Sequence, residues 1–211
     1  MPIQEQLAFA LDRNDQEPNK RVAKQIVDAG GEKEVEELVS FIETRPKQRA
    51  QSDAILALAY VGELSPKLLA GHVDFLIRQL TRPINRVVFG SMIALAHIAH
   101  LQRKKIFDAL PKIIDTMDGG TVVTRDHGFR IMISLYRDDQ FQEDMFLLIQ
   151  EQLIKAPSNQ LGQYAERIIE VLNKKHLNSL IETLEERRND ITNEHHVKRL
   201  NKNLKKLYKL L

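Results

Sequence analysis

Apolar residues recur every three or four positions along nearly the whole chain, and strict apolar–polar alternation is almost absent. That rhythm predicts α-helices throughout and no sheet. The stretch after Pro46 shows it best. Ala50, Ala54, Ala57, Leu58 and Val61 fall on one stripe at helical spacing, and their small size permits close approach of neighbouring helices. Arg49, Asp53, Leu56, Tyr60 and Glu63 form a second stripe about 100–140° away. Extended along the chain, the pattern predicts twelve helices in six hairpins. These are 3–12 with 18–29, 33–45 with 46–63, 66–81 with 83–101, 103–117 with 122–137, 140–155 with 158–174, and 175–189 with 194–210.

The punctuation agrees. Pro18, Pro46, Pro66, Pro83 and Pro157 sit at or near predicted helix starts, where a missing N–H costs nothing and the fixed φ suits a first turn. Ser65 is placed to cap the helix from Pro66, and Asp139 with Gln142 has capping-box spacing. Gly30-Gly31 and Gly119-Gly120 follow apolar-periodic stretches, as residues just past a helix end do where φ turns positive. Pro111 falls inside a helical stretch and predicts a kink. Connections are short and no low-complexity linker occurs, so one domain over 1–211 is expected.

One segment is written twice. Thr44-Arg45-Pro46-Lys47-Gln48-Arg49 recurs 37 residues on as Thr81-Arg82-Pro83-Ile84-Asn85-Arg86, and Ala57-Leu58-Ala59 falls on Ala94-Leu95-Ala96 in the same register. Periods of roughly 20–50 residues mark arrays of stacked supersecondary units. Shifted by one period, the second stripe becomes Arg86, Gly90, Ile93, His97 and His100. Stacking sets such rows side by side, about 10 Å apart. Arg125 and Arg130 extend the row where the next copy is poorer, and Pro18-Asn19-Lys20-Arg21 is a weak further echo.

Leu110-Pro111-Lys112-Ile113-Ile114-Asp115-Thr116-Met117-Asp118 resembles the first helix of a HEAT repeat, with its Leu-Pro, spaced aliphatics and an Asp at the turn. Arg49 followed by Ala54-Ile55-Leu56-Ala57-Leu58 is similar to the second helix. The likeness is clearest over 33–138 and weak at both ends. It implies an all-α fold: a right-handed α-α superhelix of about six HEAT-like hairpins, the terminal ones acting as caps. It also implies that the second helices line a concave face. The resemblance thereby nominates Arg45, Arg49, Tyr60, Arg82, Arg86, His97, His100 and Arg125 as contact residues of a groove. Read from the residues alone, Arg49 and Arg86 could instead bridge turns between repeats, pairing with acids such as Asp53 or Asp118.

Composition narrows the chemistry. The 211 residues are 43% hydrophobic and 28% charged, with no cysteine. Disulfides, thiolate nucleophiles and Cys-ligated zinc are thereby excluded. No apolar run approaches the roughly 20 residues that span a bilayer, and the N-terminus lacks a signal-peptide pattern, so a cytoplasmic location is expected. A net charge of +2 is too small to argue globally for nucleic acid. His97 and His100 lie three apart on one helix but have no evident third ligand, so no metal or cofactor is expected. His195-His196 read as first-turn residues of the last helix. No nucleophile elbow, zincin motif or dinucleotide fingerprint occurs, and Gly119-Gly120-Thr121 is a turn, not a phosphate loop. Asp138-Asp139 and Glu185-Glu186 are neighbours that diverge along a helix, so no catalytic residue is nominated.

Some HEAT-like solenoids are glycosylases for alkylated DNA bases, using a concave carboxylate flanked by indole rings. Asp53 or Asp126 could supply the carboxylate here, but the chain has no tryptophan. The last helix carries Val197, Leu200, Leu204, Leu207 and Leu211 on one side and Lys198, Lys202, Lys205, Lys206 and Lys209 on the other. That is a cap pattern, apolar inward and charged outward, and also a pattern for phosphate or acidic partners. Glu32, Glu34, Glu36 and Glu37 form an acidic patch near the other end. The expected function is a non-enzymatic interaction module that binds a protein or peptide on the concave face. The alternative is a nucleic-acid-binding solenoid related to the glycosylases, using its basic residues.

Overall fold

The computed structural model describes residues 2–44 and 47–211, which contain thirteen α-helices, two short 3-10 helices and no strand. Packing divides the chain into two compact units, Met1–Ile131 and Met132–Leu211. The first begins with a 3-10 helix, Ile3–Gln6, then α1 (Glu17–Asp28), α2 (Glu32–Glu43), α3 (Gln48–Leu64), α4 (Pro66–Ala70) and α5 (Val73–Gln79). It continues with α6 (Asn85–Ile98), α7 (Arg103–Asp108), α8 (Leu110–Asp118) and most of α9 (Val122–Tyr136), in which the boundary falls. The second unit adds α10 (Gln142–Lys155), α11 (Ser158–Ile169), a 3-10 turn (Lys174–His176), α12 (Leu177–Asn189) and α13 (Glu194–Tyr208).

The repeat outlives its sequence copy. Helices α3, α6, α9, α11 and α13 begin at Gln48, Asn85, Val122, Ser158 and Glu194, in steps of 37, 37, 36 and 36 residues. Two repeats are three-helix units instead of hairpins. The stretch 66–81 is split into α4 and α5, and 103–117 into α7 and α8, again 37 residues apart. Pro111 explains the second split. It has no N–H to continue α7, its ring would strike the carbonyl of Phe107, and it therefore sits in the first positions of α8.

The expected helix over 3–12 is mostly turns, because the Ala8 N–H donates to the Asn19 side chain, 2.9 Å away, instead of to a preceding carbonyl. Asp12 there adopts φ 51°. The Asp139–Gln142 capping box does not form either. Phe141 is the N-cap, and the Gln142 amide donates to the Tyr136 carbonyl while accepting from Asn173. Ser65 precedes α4 without a side-chain cap bond. Gly30 has the expected positive φ, 61°, whereas Gly119 and Gly120 do not.

Helix α3 is the axis of the first unit, with α1, α2 and α6 packed on it. Its residues are buried without interruption from Ala50 to Ala59, the polar run Gln51-Ser52-Asp53 being hydrogen-bonded there. Glycine makes the α3–α6 approach possible, since a Cβ on Gly90 would lie 2.8 Å from Ile55.

Candidate functional site

The predicted contact row separates into two groups at opposite helix ends. Arg45 lies outside the described residues. Arg49, Arg82, Arg86 and Arg125 cluster at the starts of α3, α6 and α9, whereas Tyr60, His97 and His100 lie at the far ends. At the rise of an α-helix, Arg49 and Tyr60 are about 16 Å apart along α3. The stripe between them is closed: Asp53 is 3% exposed, Leu56 is buried, and Gly90 packs on Ile55.

At the basic end, Arg49 donates to Asp12 (3.2 Å) and to the Arg13 carbonyl (2.7 Å), tying α3 to the turn before α1. Asp53, named above as a partner for Arg49, instead accepts from Asn19 (3.1 Å) in the core. Arg82 donates to Gln51 (2.6 Å), Arg86 is exposed, and Arg125 is half-buried.

At the other end a band of alternating charge crosses four helices. The Lys20 ammonium of α1 pairs with Glu17 (3.0 Å) and lies 5.9 Å from the centre of the half-buried Tyr60 ring on α3. Desolvation pushes the Tyr60 hydroxyl up, partly offset by Lys20. His97 on α6 is half-buried and faces Glu63 on α3 and Arg130 on α9, the latter paired with Asp126 at 3.3 Å. Burial pulls the imidazole below its ordinary 6.5; Glu63 works against this and Arg130 with it. His100, past the end of α6, is exposed.

The sign follows directly. A histidine whose folded pKa is depressed binds fewer protons folded than unfolded, so stability is lost as pH falls from about 6.5 through the folded value. Thermal unfolding between pH 7 and pH 5 is expected to show this loss. His97→Gln should flatten the slope, and an unchanged slope would place the titrating group elsewhere.

The residues proposed for base excision are not arranged for it. Asp53 is buried and hydrogen-bonded, and the side chain of Asp126 is 19% exposed and paired with Arg130. Among the described residues no group of three or more His, Asp or Glu is placed to hold a metal, and no helix is long and apolar enough to cross a membrane. On α13, Leu200, Leu204 and Leu207 are buried and Val197 is half-buried, whereas Leu211 lies past the helix end and is exposed. Lys198, Lys202, Lys205, Lys206 and Lys209 all face solvent, Lys198 lying 3.9 Å from Glu194. Arg199 binds Glu166 bidentately (2.9 and 2.7 Å), which holds that carboxyl below its usual range. His195 and His196 occupy the first turn, their N–H groups capped by Asn193.

A second-unit network went unforeseen. The Tyr136 hydroxyl accepts from the Asn173 N–H (3.0 Å), so its own proton points to His176 Nδ1 (2.8 Å). That leaves the ring proton on Nε2, 3.2 Å from Glu143, with the ring stacked on Phe146 at 3.9 Å. No local motif announces it, because its members are up to 40 residues apart.

No family model matches the chain, and neither does any curated protein. Solved structures do match. An engineered protein crystallised by the Northeast Structural Genomics Consortium is 19% identical with a TM-score of 0.60, covering 98% of this chain and 96% of its own. A designed armadillo repeat protein, YIII(Dq)4CqI, is 18% identical with a TM-score of 0.64, covering 97% of this chain and 98% of its own. At these identities the likeness is one of fold. The chain is an all-α helical-repeat protein of the solenoid class.

Proposed function

We propose that the protein is a non-enzymatic interaction module that holds a protein or peptide segment against a band crossing α1, α3, α6 and α9. The observation that carries this reading is the band from Lys20 and Tyr60 through Glu63 and His97 to Arg130. It offers a half-buried aromatic ring, a half-buried imidazole and charges of both signs on four helices that pack on one another. Aromatic and arginine anchors of this kind dominate protein interfaces, and rigid helices present them at little entropic cost.

Affinity capture from native lysate with wild type and a Tyr60→Ala/His97→Glu pair tests the assignment. The variant should lose a partner that wild type retains; identical partner sets would reject the band. Nucleic acid is the second reading, supported by exposed Arg86 and, separately, by the exposed lysines of α13. Duplex or single-strand binding that weakens steeply with salt would favour it, and no binding at low salt would remove it.

A further inference from the structure

We infer that a cleft between the ends of α2 and α5 and the start of α8 receives a carboxylate of an acidic peptide, while an N–H of the same segment donates to Gln79. The cleft has a volume of about 470 Å³ and is lined by Glu43, Arg78, Gln79, Thr81, Arg82 and Lys112. Three cations therefore face one acid. Glu43 is engaged by Arg78 at 2.9 Å. Arg82 is held by the neutral Gln51 oxygen at 2.6 Å, which orients the guanidinium without cancelling its charge. Lys112 faces the same space from the next repeat. The cleft thus keeps an excess of positive charge, and Arg82 carries its share on a guanidinium already held in place, an arrangement that lowers the ordering cost of binding an oxyanion.

Gln79 narrows the ligand. It is 5% exposed, its Nε2 donates to the Phe75 carbonyl (3.4 Å), and its buried Oε1 has no donor. Buried acceptors are nearly always satisfied, so an unfilled one on a side chain that lines a cationic cleft is open to an incoming donor once the Gln79 amide turns toward the cleft. A phosphodiester carries no hydrogen and would fill the cations while leaving Gln79 empty. A peptide offers a main-chain N–H next to an Asp or Glu carboxylate and fills both. The cleft lies near the start of α6, about 18 Å along that helix from His97 by residue count, so it stands or falls independently of the band proposed above.

The test is an amide NMR titration of the full chain at low salt with an acetylated, amidated hexaglutamate peptide. Shifts are expected at the amides of Gln79, Thr81, Arg82 and Lys112. The Kd should rise at least tenfold in Lys112→Glu and at least threefold in Gln79→Leu. Lys112 lines the cleft and is not part of the buried core, so its variant should keep the wild-type thermal midpoint, and a Tyr60→Ala/His97→Glu control should leave the peptide Kd unchanged. Absence of shifts at those amides, or a Kd indifferent to either cleft substitution, overturns the proposal. So does a six-nucleotide thymidine oligomer that binds the same cleft as tightly as the peptide, which would assign it to phosphate.

Discussion

Tyr136→Ala is expected to destabilise the second unit by about 3–5 kcal/mol, the usual loss on truncating a buried aromatic side chain. The ring is fully buried between helices and lies 6.3 Å from Phe146 and 5.7 Å from His176, centre to centre. Its hydroxyl bridges α9 to the turn before α12, so Tyr136→Phe isolates the polar share. The phenylalanine variant keeps the packing but strands His176 Nδ1 and the Asn173 N–H, at about 1–3 kcal/mol. Urea unfolding followed by circular dichroism measures both. A phenylalanine variant as stable as wild type would mean the hydroxyl is not the bridge, since the buried His176 Nδ1 cannot lose its donor free of cost.

Asn19→Leu should be nearly as damaging in the first unit. Asn19 is fully buried, accepts from Ala8, and donates to Gln16 (2.8 Å) and Asp53 (3.1 Å). Leucine leaves the Asp53 carboxylate in the core without its donor, and a buried acceptor stripped of its partner loses about 1–3 kcal/mol, more when it is charged. It also releases the N-terminal turns that Ala8 anchors. Adding Asp53→Leu should recover part of the loss, because replacing both members of a buried polar pair by apolar groups approaches neutrality. Thermal unfolding of the two variants decides this. A double variant less stable than Asn19→Leu alone would show that Asp53 supports the fold through other contacts.

Much of the architecture could be read from residue order. Arg49 and Arg86 report the repeat because they stand at the same place in two successive units, and Ala50, Ala54, Ala57, Leu58 and Val61 are buried as their rhythm predicts, although the rest of α3 from Ala50 to Ala59 is buried too. The candidate site was only half legible. Tyr60, Glu63 and His97 belong together as the periodic stripe predicts, but Lys20 joins them through α1, whose echo of the repeat was faint. The cleft residues Glu43, Arg78 and Gln79 lie outside every motif; Thr81 and Lys112 fall within the repeated and HEAT-like segments, but of the lining only Arg82 was expected to make contacts. Asp53 shows the limit most clearly, since its helical angle places it with Tyr60 while α1 covers it.

Helical period, repeat length and the small-residue seam are thus properties of the chain's local order, because side-chain direction along an α-helix follows from the backbone turn alone. Which polar groups stay open was settled by packing between repeats. Hydrogen bonds such as Asn19–Asp53, Arg49–Asp12 and Arg82–Gln51 join residues 31 to 37 positions apart. Exposure depends on what the preceding repeat lays over a side chain, and that is fixed only once the repeats have stacked.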